Sequence, residues 1–232
     1  MGSELFVKIC GVTTEADALH AAAMGADAVG MVFAASSRRV TRGVARDIVR
    51  RLPPEVLTVG VFRDESRERV VEIANTIGLR VVQLHGHESP EDTRWVAERV
   101  PNVIRAFSVK DPALQRPRLV DYGPVRLLID SPLPGSGEAF DWQLLGEVSV
   151  DRGFLLAGGL TPDNVGHAVS SVEPWGVDVS SGVEASPGTK DSVKVQRFIA
   201  NARAAHAAMH VDDDPDAPDA VYDWSEDPGG SA

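Results

Sequence analysis

The chain has 232 residues, 43% hydrophobic and 25% charged, which is an ordinary globular composition. Its longest weakly polar stretch, Ala28 to Ala35, falls well short of the roughly 20 apolar residues of a membrane span, the start MGSELFVKIC lacks the regions of a secretion signal, and the single Cys10 excludes a disulfide framework or a multi-cysteine metal site. The net charge of -11 is mostly terminal: residues 206–232 carry eight acids and no Lys or Arg, whereas the body sets 23 basic residues against 26 acidic ones and so shows no nucleic-acid footprint. A cytoplasmic protein with neither a nucleic-acid nor a membrane partner is expected, its barrel-sized body at 1–205 followed by an acidic disordered tail at 206–232.

Within the body, short apolar runs alternate with segments of helical period. In chain order the runs are LFVKIC (5–10), DAVGMVF (27–33), VLTVGVF (56–62), RVVQLH (80–85), NVIRAF (102–107), VRLLID (125–130), GFLLAG (153–158) and GVDVSS (176–181). Near-continuous apolar character is what strands covered on both faces show, and parallel neighbours need helical crossovers. Thr14 with Asp17 forms a capping box ahead of the first helix, and Gly25 stands where it should end. Ser89-Pro90 and Thr161-Pro162 each place a hydroxyl at an N-cap and proline at the first helical position. Segments 42–52, 66–77 and 191–208 read as helices with charged outer faces. Segment 111–121, with Pro112 and Pro117, reads as a poor one.

Eight strand and crossover units in about 205 residues match a small α/β (β/α)8 TIM barrel in a single domain. A doubly wound open sheet is the competitor, but Cys10-Gly11-Val12-Thr13 after the first run is no glycine-rich dinucleotide loop. Barrel enzymes work at the C-terminal ends of their strands. Gly158 and Gly159 after the seventh run, with Ser180, Ser181 and Gly182 after the eighth, make turns whose backbone N–H groups can converge on a phosphate. Cys10 and Asp130 end runs one and six and face one mouth, as an acid and base pair for proton-transfer isomerisation requires. Arg38 and Arg39 follow the second run, where a guanidinium can clamp a carboxylate. Gln83 and His85 close the fourth run as rim positions for substrate. The His85 and His87 pair lacks the further ligands a metal needs, so no metal is expected.

VKICGVT, GADAVGMVF with SSRRV, VVQLHG, LLIDS with GSGEAFDW, LLAGGLTPDNV and GVDVSSGVEASPGTKD together resemble the phosphoribosylanthranilate isomerase family over residues 5–205. The resemblance implies a cofactor-free Amadori rearrangement of N-(5'-phosphoribosyl)anthranilate to 1-(2-carboxyphenylamino)-1-deoxyribulose 5-phosphate, a step of tryptophan biosynthesis. It implies Asp130 as general acid, Cys10 as general base, Arg39 for the anthranilate carboxylate, and the Gly158-Gly159 and Ser180-Ser181-Gly182 turns for the phosphate. Pro134 and Glu138 in the loop after Asp130 depart from the family pattern, and the acidic tail has no counterpart in it. Bisubstrate relatives that also serve histidine biosynthesis generally carry Asp where Cys10 stands, which favours the single-substrate enzyme. A non-catalytic phosphosugar-binding barrel is the other alternative. The helical outer faces show no large apolar stripe, so a monomer is expected.

Overall fold

The computed structural model describes residues 4–114, 121–123, 125–130 and 153–210. Eight parallel strands close into a barrel in chain order: β1 (Phe6–Ile9), β2 (Ala28–Val32), β3 (Leu57–Phe62), β4 (Val81–Leu84), β5 (Val103–Ser108), β6 (Arg126–Asp130), β7 (Phe154–Leu156) and β8 (Gly176–Val179). Closure is made between β1 and β8, where Lys8 pairs with Asp178 and Ile9 with Val179. The barrel of the sequence reading is therefore present, with its strands where the apolar runs lie.

Alternate residues of each strand serve two different packing layers, which is why the runs are apolar throughout. Ala28, Val59, Val81, Ile104, Leu128 and Leu155 form the cluster inside the barrel. The opposite parity, including Val7, Ile9, Val29, Met31, Leu127 and Ile129, packs against helix residues such as Ala18, Ile48, Val70 and Phe198. Each fully buried aliphatic contributes about 1.5–3 kcal/mol. Toward the C-terminal ends of the strands the inward positions change from aliphatic to polar, and the site begins there.

The helices are α1 (Glu15–Ala23), α2 (Arg42–Arg51), α3 (Arg67–Ile77), α4 (Pro90–Ala97), α5 (Val165–Val172) and α6 (Ser192–Met209). Thr14 caps α1 by accepting from the Asp17 N–H at 3.1 Å, and Ser89 caps α4 with Pro90 in the first turn. One expectation needs correction. Thr161-Pro162 does not start a helix: Asn164 closes a turn there, its Oδ1 accepting from the Thr161 N–H at 2.7 Å and its Nδ2 donating to the Gly159 carbonyl at 2.9 Å, so α5 begins at Val165. Helix α6 ends within one residue of the 191–208 reading, and Ala202, Ala205 and Met209 still pack on the core. Of segment 111–121, Pro112–Leu114 is a single 3-10 turn. The loop bearing Pro134 and Glu138 and the acidic tail beyond His210 lie outside the described residues.

A short hairpin, β9 (Glu184–Ser186) with β10 (Thr189–Lys190), follows β8 and is bonded to its loop through Lys190 and the Ser180 carbonyl. Glu184 anchors it. Its carboxylate accepts from Arg38 Nε at 2.7 Å and Nη2 at 2.9 Å, and from Lys190 Nζ at 3.0 Å.

Candidate active site

A cavity of about 280 Å³ opens at the C-terminal ends of the strands, lined by Cys10, Gln83, His85, Asp130, Gly158, Gly159, Ser180 and Ser181 together with Arg38, Arg63 and Asp178. Eight of the ten site residues expected from the sequence therefore share one pocket. Gly182 is outside the lining: a Cβ there would run into the Leu160 carbonyl, so its lack of a side chain lets the β8 loop seat on the β7 loop. Arg39 is exposed beside the mouth and outside the lining. Its neighbour Arg38 does line the cavity, but in a bidentate pair with Glu184. That fork-to-fork pair occupies the face a substrate carboxylate would use.

The side formed by the β7 and β8 loops is built by backbone. Gly158 and Gly159 both have left-handed φ, 89° and 65°, a conformation that side chains resist. The Ser181–Val183 turn starts opposite them, after Ser180. Lys190 Nζ donates to the Ser180 carbonyl at 3.0 Å and ties the hairpin to this loop. Two glycine-bearing loops with backbone amides at one rim suit a phosphate.

Across the cavity stands a chain of three side chains. Gln83 Nε2 lies 2.9 Å from His85 Nδ1, and His85 Nε2 lies 3.2 Å from Asp130 Oδ2. With the amide donating to Nδ1, the neutral imidazole carries its proton on Nε2 and presents it to Asp130. Asp130 is 6% exposed. Beneath the rim, Arg105 donates to the carbonyls of Leu84, Gly86 and Glu88, which fixes the loop that carries His85.

The thiol wall is deeper and charged. Cys10 stands at the end of β1, its N–H bonded to the Val179 carbonyl at 2.8 Å. Lys8, two positions earlier on the same inward parity, is fully buried and donates to Asp178 Oδ1 at 2.8 Å. Burial pushes the Cys10 thiol up; Lys8 and Lys190 pull it down and Asp178 pushes it up, and the net direction is upward. Burial works against the charge of Lys8 as well, but Asp178 and Cys10 outweigh it and hold the ammonium above the usual lysine range. Lys8 and Asp178 are the residues sequence reasoning missed. Their signal was a lysine in the middle of an apolar run, with the parity of Cys10.

A sequence profile described as N-(5'phosphoribosyl)anthranilate (PRA) isomerase matches residues 7–201. The chain belongs to this family. The N-(5'-phosphoribosyl)anthranilate isomerase of Desulforudis audaxviator is 48% identical over 204 residues, covering 86% of this chain and 98% of the relative. Among solved structures, the phosphoribosyl anthranilate isomerase of Thermus thermophilus is 39% identical with a TM-score of 0.79, covering 88% of this chain and 100% of that one. A family structure holding reduced 1-(o-carboxyphenylamino)-1-deoxyribulose 5-phosphate is 42% identical with a TM-score of 0.77, covering 86% and 99%. Membership makes the chain an isomerase of tryptophan biosynthesis, acting on a small phosphorylated sugar derivative. No helix among the described residues is long and apolar enough to cross a membrane, and no group of three or more His, Cys, Asp or Glu side chains there is arranged to hold a metal.

Proposed function

We propose that the rearrangement is carried by Asp130 as general acid and Cys10 as general base, with phosphate held between the β7 and β8 loops. The observation that supports this reading best is one cavity lined by Cys10, Asp130, Gly159 and Ser181 at once. Asp130 gives its proton to the ribose ring oxygen while the C1–O bond breaks, and the anilino nitrogen's electron pair forms the C1=N iminium. Cys10, as thiolate, takes the C2 proton. The electrons of that C–H bond become the C1=C2 bond, and the iminium π pair returns to nitrogen. The resulting enolamine tautomerises to the ketone, with C1 protonated and the C2 hydroxyl proton lost.

Each component acts on a different part of the substrate. The phosphate grip is remote from the reacting carbons and supplies orientation. Arg39, exposed on the loop whose Ala35, Ser36 and Arg38 line the cavity, would meet the anthranilate carboxylate, while Arg38 holds the hairpin through Glu184. Gln83 and His85 orient Asp130 and border the sugar. Cys10 in place of a carboxylate supports the single-substrate enzyme over a bisubstrate one. The deciding experiment is complementation of a tryptophan auxotroph lacking this step, with steady-state assays on both the anthranilate and the histidine-pathway substrate. Growth with turnover of the first substrate alone is expected. Growth failure with a folded protein would leave the non-catalytic phosphosugar-binding reading.

We infer a monomer and a reducing, cytoplasmic setting. The exposed large hydrophobics of the described residues, Leu19, Val44 and Val193, sit singly on α1, α2 and α6, and Cys10 is a free thiol. The Thermotoga maritima relative is by contrast described as dimeric. Sedimentation at micromolar concentration checks this, with a species of twice the 24.8 kDa chain mass overturning it.

A further inference from the structure

The aliphatic layers of a barrel interior make a buried lysine costly. A well-packed branched residue at position 8 would serve the fold as well or better, since replacing a buried ion pair by apolar side chains is often neutral or stabilising. Lys8 is nonetheless fully buried, in register with Asp178 on the neighbouring strand. Asp178 takes one of its ammonium hydrogens, at 2.8 Å. Gly30 on β2 shows where the rest of the group points. A Cβ built at Gly30 would meet Cys10 Sγ at 2.8 Å and Lys8 Nζ at 3.2 Å. Sulfur and ammonium therefore share one niche that exists because position 30 has no side chain.

We propose that Lys8 is the positioning residue of Cys10: its buried ammonium, clamped by Asp178 of the cavity lining, is the counter-ion that makes the Cys10 thiolate available to the substrate. This rests on reading Cys10 as the base. Lys8 does not touch the substrate and keeps its proton throughout; it acts only through the sulfur, by charge and hydrogen bond. The other charged groups facing Cys10 are Lys190 from β10 and Arg38 from the loop after β2, both already engaged by Glu184 at the head of β9, while Asp178 on β8 opposes them. His85 and Asp130 stand across the cavity on β4 and β6. Lys8 is thus the cation closest in role to the sulfur, and its effect on Cys10 exceeds that of Asp178.

Cys10 is the chain's single cysteine, so ultraviolet thiolate absorbance and the rate of iodoacetamide alkylation against pH report it alone in the full-length protein. Lys8→Met is expected to raise the thiol midpoint by about one to three pH units and to move the acidic limb of kcat/KM by the same amount, with KM little changed. Should that variant fail to fold with Asp178 left unpaired, Lys8→Met combined with Asp178→Asn removes both ions. Its midpoint should still rise, by less. A midpoint that stays or falls in the folded variants, even with a lowered melting temperature, would reduce Lys8 to a structural role and overturn the proposal. A Cys10→Ala variant with near-normal turnover would instead sink the reading of Cys10 as base. The thiol titration would keep its answer about Lys8 in that case, so the two failures are distinguishable.

Discussion

On the proposed assignment of Cys10 and Asp130, the two walls of the cavity control their proton carriers by different means. On the β8–β1–β2 side, Cys10 sits beside a buried ion pair, and its state is set by charges whose effects burial magnifies. On the β4–β6 side, Asp130 is held at the end of a hydrogen-bonded chain from Gln83 through His85, which is part-exposed and passes no full charge when the imidazole is neutral. A soft, weakly acidic thiol needs a cation to become a base. A carboxyl needs chiefly to be aimed and kept hydrogen-bonded, so a neutral imidazole serves.

The comparison breaks most decisively if either terminal group proves dispensable. Cys10→Ser and Asp130→Asn are each expected to lower kcat by about 10²- to 10⁴-fold, the usual worth of a positioned acid or base, while binding of the reduced product analogue persists. Stopped or steady-state turnover with a parallel titration of that analogue checks both. Near-normal kcat in one variant would remove that wall from the chemistry.

Gly30→Ala sharpens the charged wall. The added methyl meets Cys10 Sγ and Lys8 Nζ inside van der Waals contact, so the sulfur must move. Overpacking of this kind costs about 1–3 kcal/mol of stability, and a displaced base loses about 10²-fold in kcat. Melting temperature and kcat measured together separate the two. A fall in stability alone would show that the position of the sulfur beside the ammonium is not critical.

His85→Leu tests the neutral wall and should do less. It removes the hydrogen bond that the carboxylate developing on Asp130 would accept as its proton leaves, about 1.5–3 kcal/mol for a bond to a charged group, or roughly 10- to 100-fold in kcat, and leaves the thiol titration where it was. Gln83→Leu acts one link further away and should fall below that. The pH profile separates the walls too. Because the Cys10 thiol is raised by burial, and the base is its deprotonated form, kcat/KM should climb with pH through neutrality and beyond the ordinary thiol range. A plateau reached below that range would contradict the placement of the thiol.

These walls were unequally legible in the sequence. Cys10 and Asp130 could be found because apolar runs end visibly, and a strand end in a barrel is a mouth position. The glycines of the β7 and β8 loops were legible for the same reason, with Gly158 and Gly159 occupying the left-handed conformation their residue type allows. Lys8 and Asp178 were not picked out, because each is one polar residue inside an apolar run, and only barrel closure pairs β1 with β8 across 170 positions. The distinction between Arg38 and Arg39 was equally out of reach. Adjacent guanidiniums look alike until Glu184, 146 positions on, engages one of them. The Thr161 helix start failed for a local reason: Asn164 offers the backbone a closed turn that competes with helix.

The smallest expected effect lies behind the β7 and β8 loops and concerns stability. Glu184 is buried, which would raise its carboxyl, but bonds from Arg38 and charge and hydrogen bonds from Lys190 outweigh burial and hold it below the usual carboxylate range. A carboxylate depressed on folding contributes stability that is fully present above its unfolded value and is lost as pH falls through the folded one. The hairpin bonded to the β8 loop should therefore loosen on acidification below the ordinary Glu range, and Glu184→Gln should flatten that part of the stability curve. Denaturant unfolding between neutral and acid pH measures it, and the KM for substrate should rise along with it, because Lys190 holds the Ser180 carbonyl through the same cluster. If Glu184→Gln kept the wild-type acid dependence, the loss would belong to other carboxylates. The hairpin would then be passive, and the rigidity of the β8 loop would rest on Gly182 packed against Leu160.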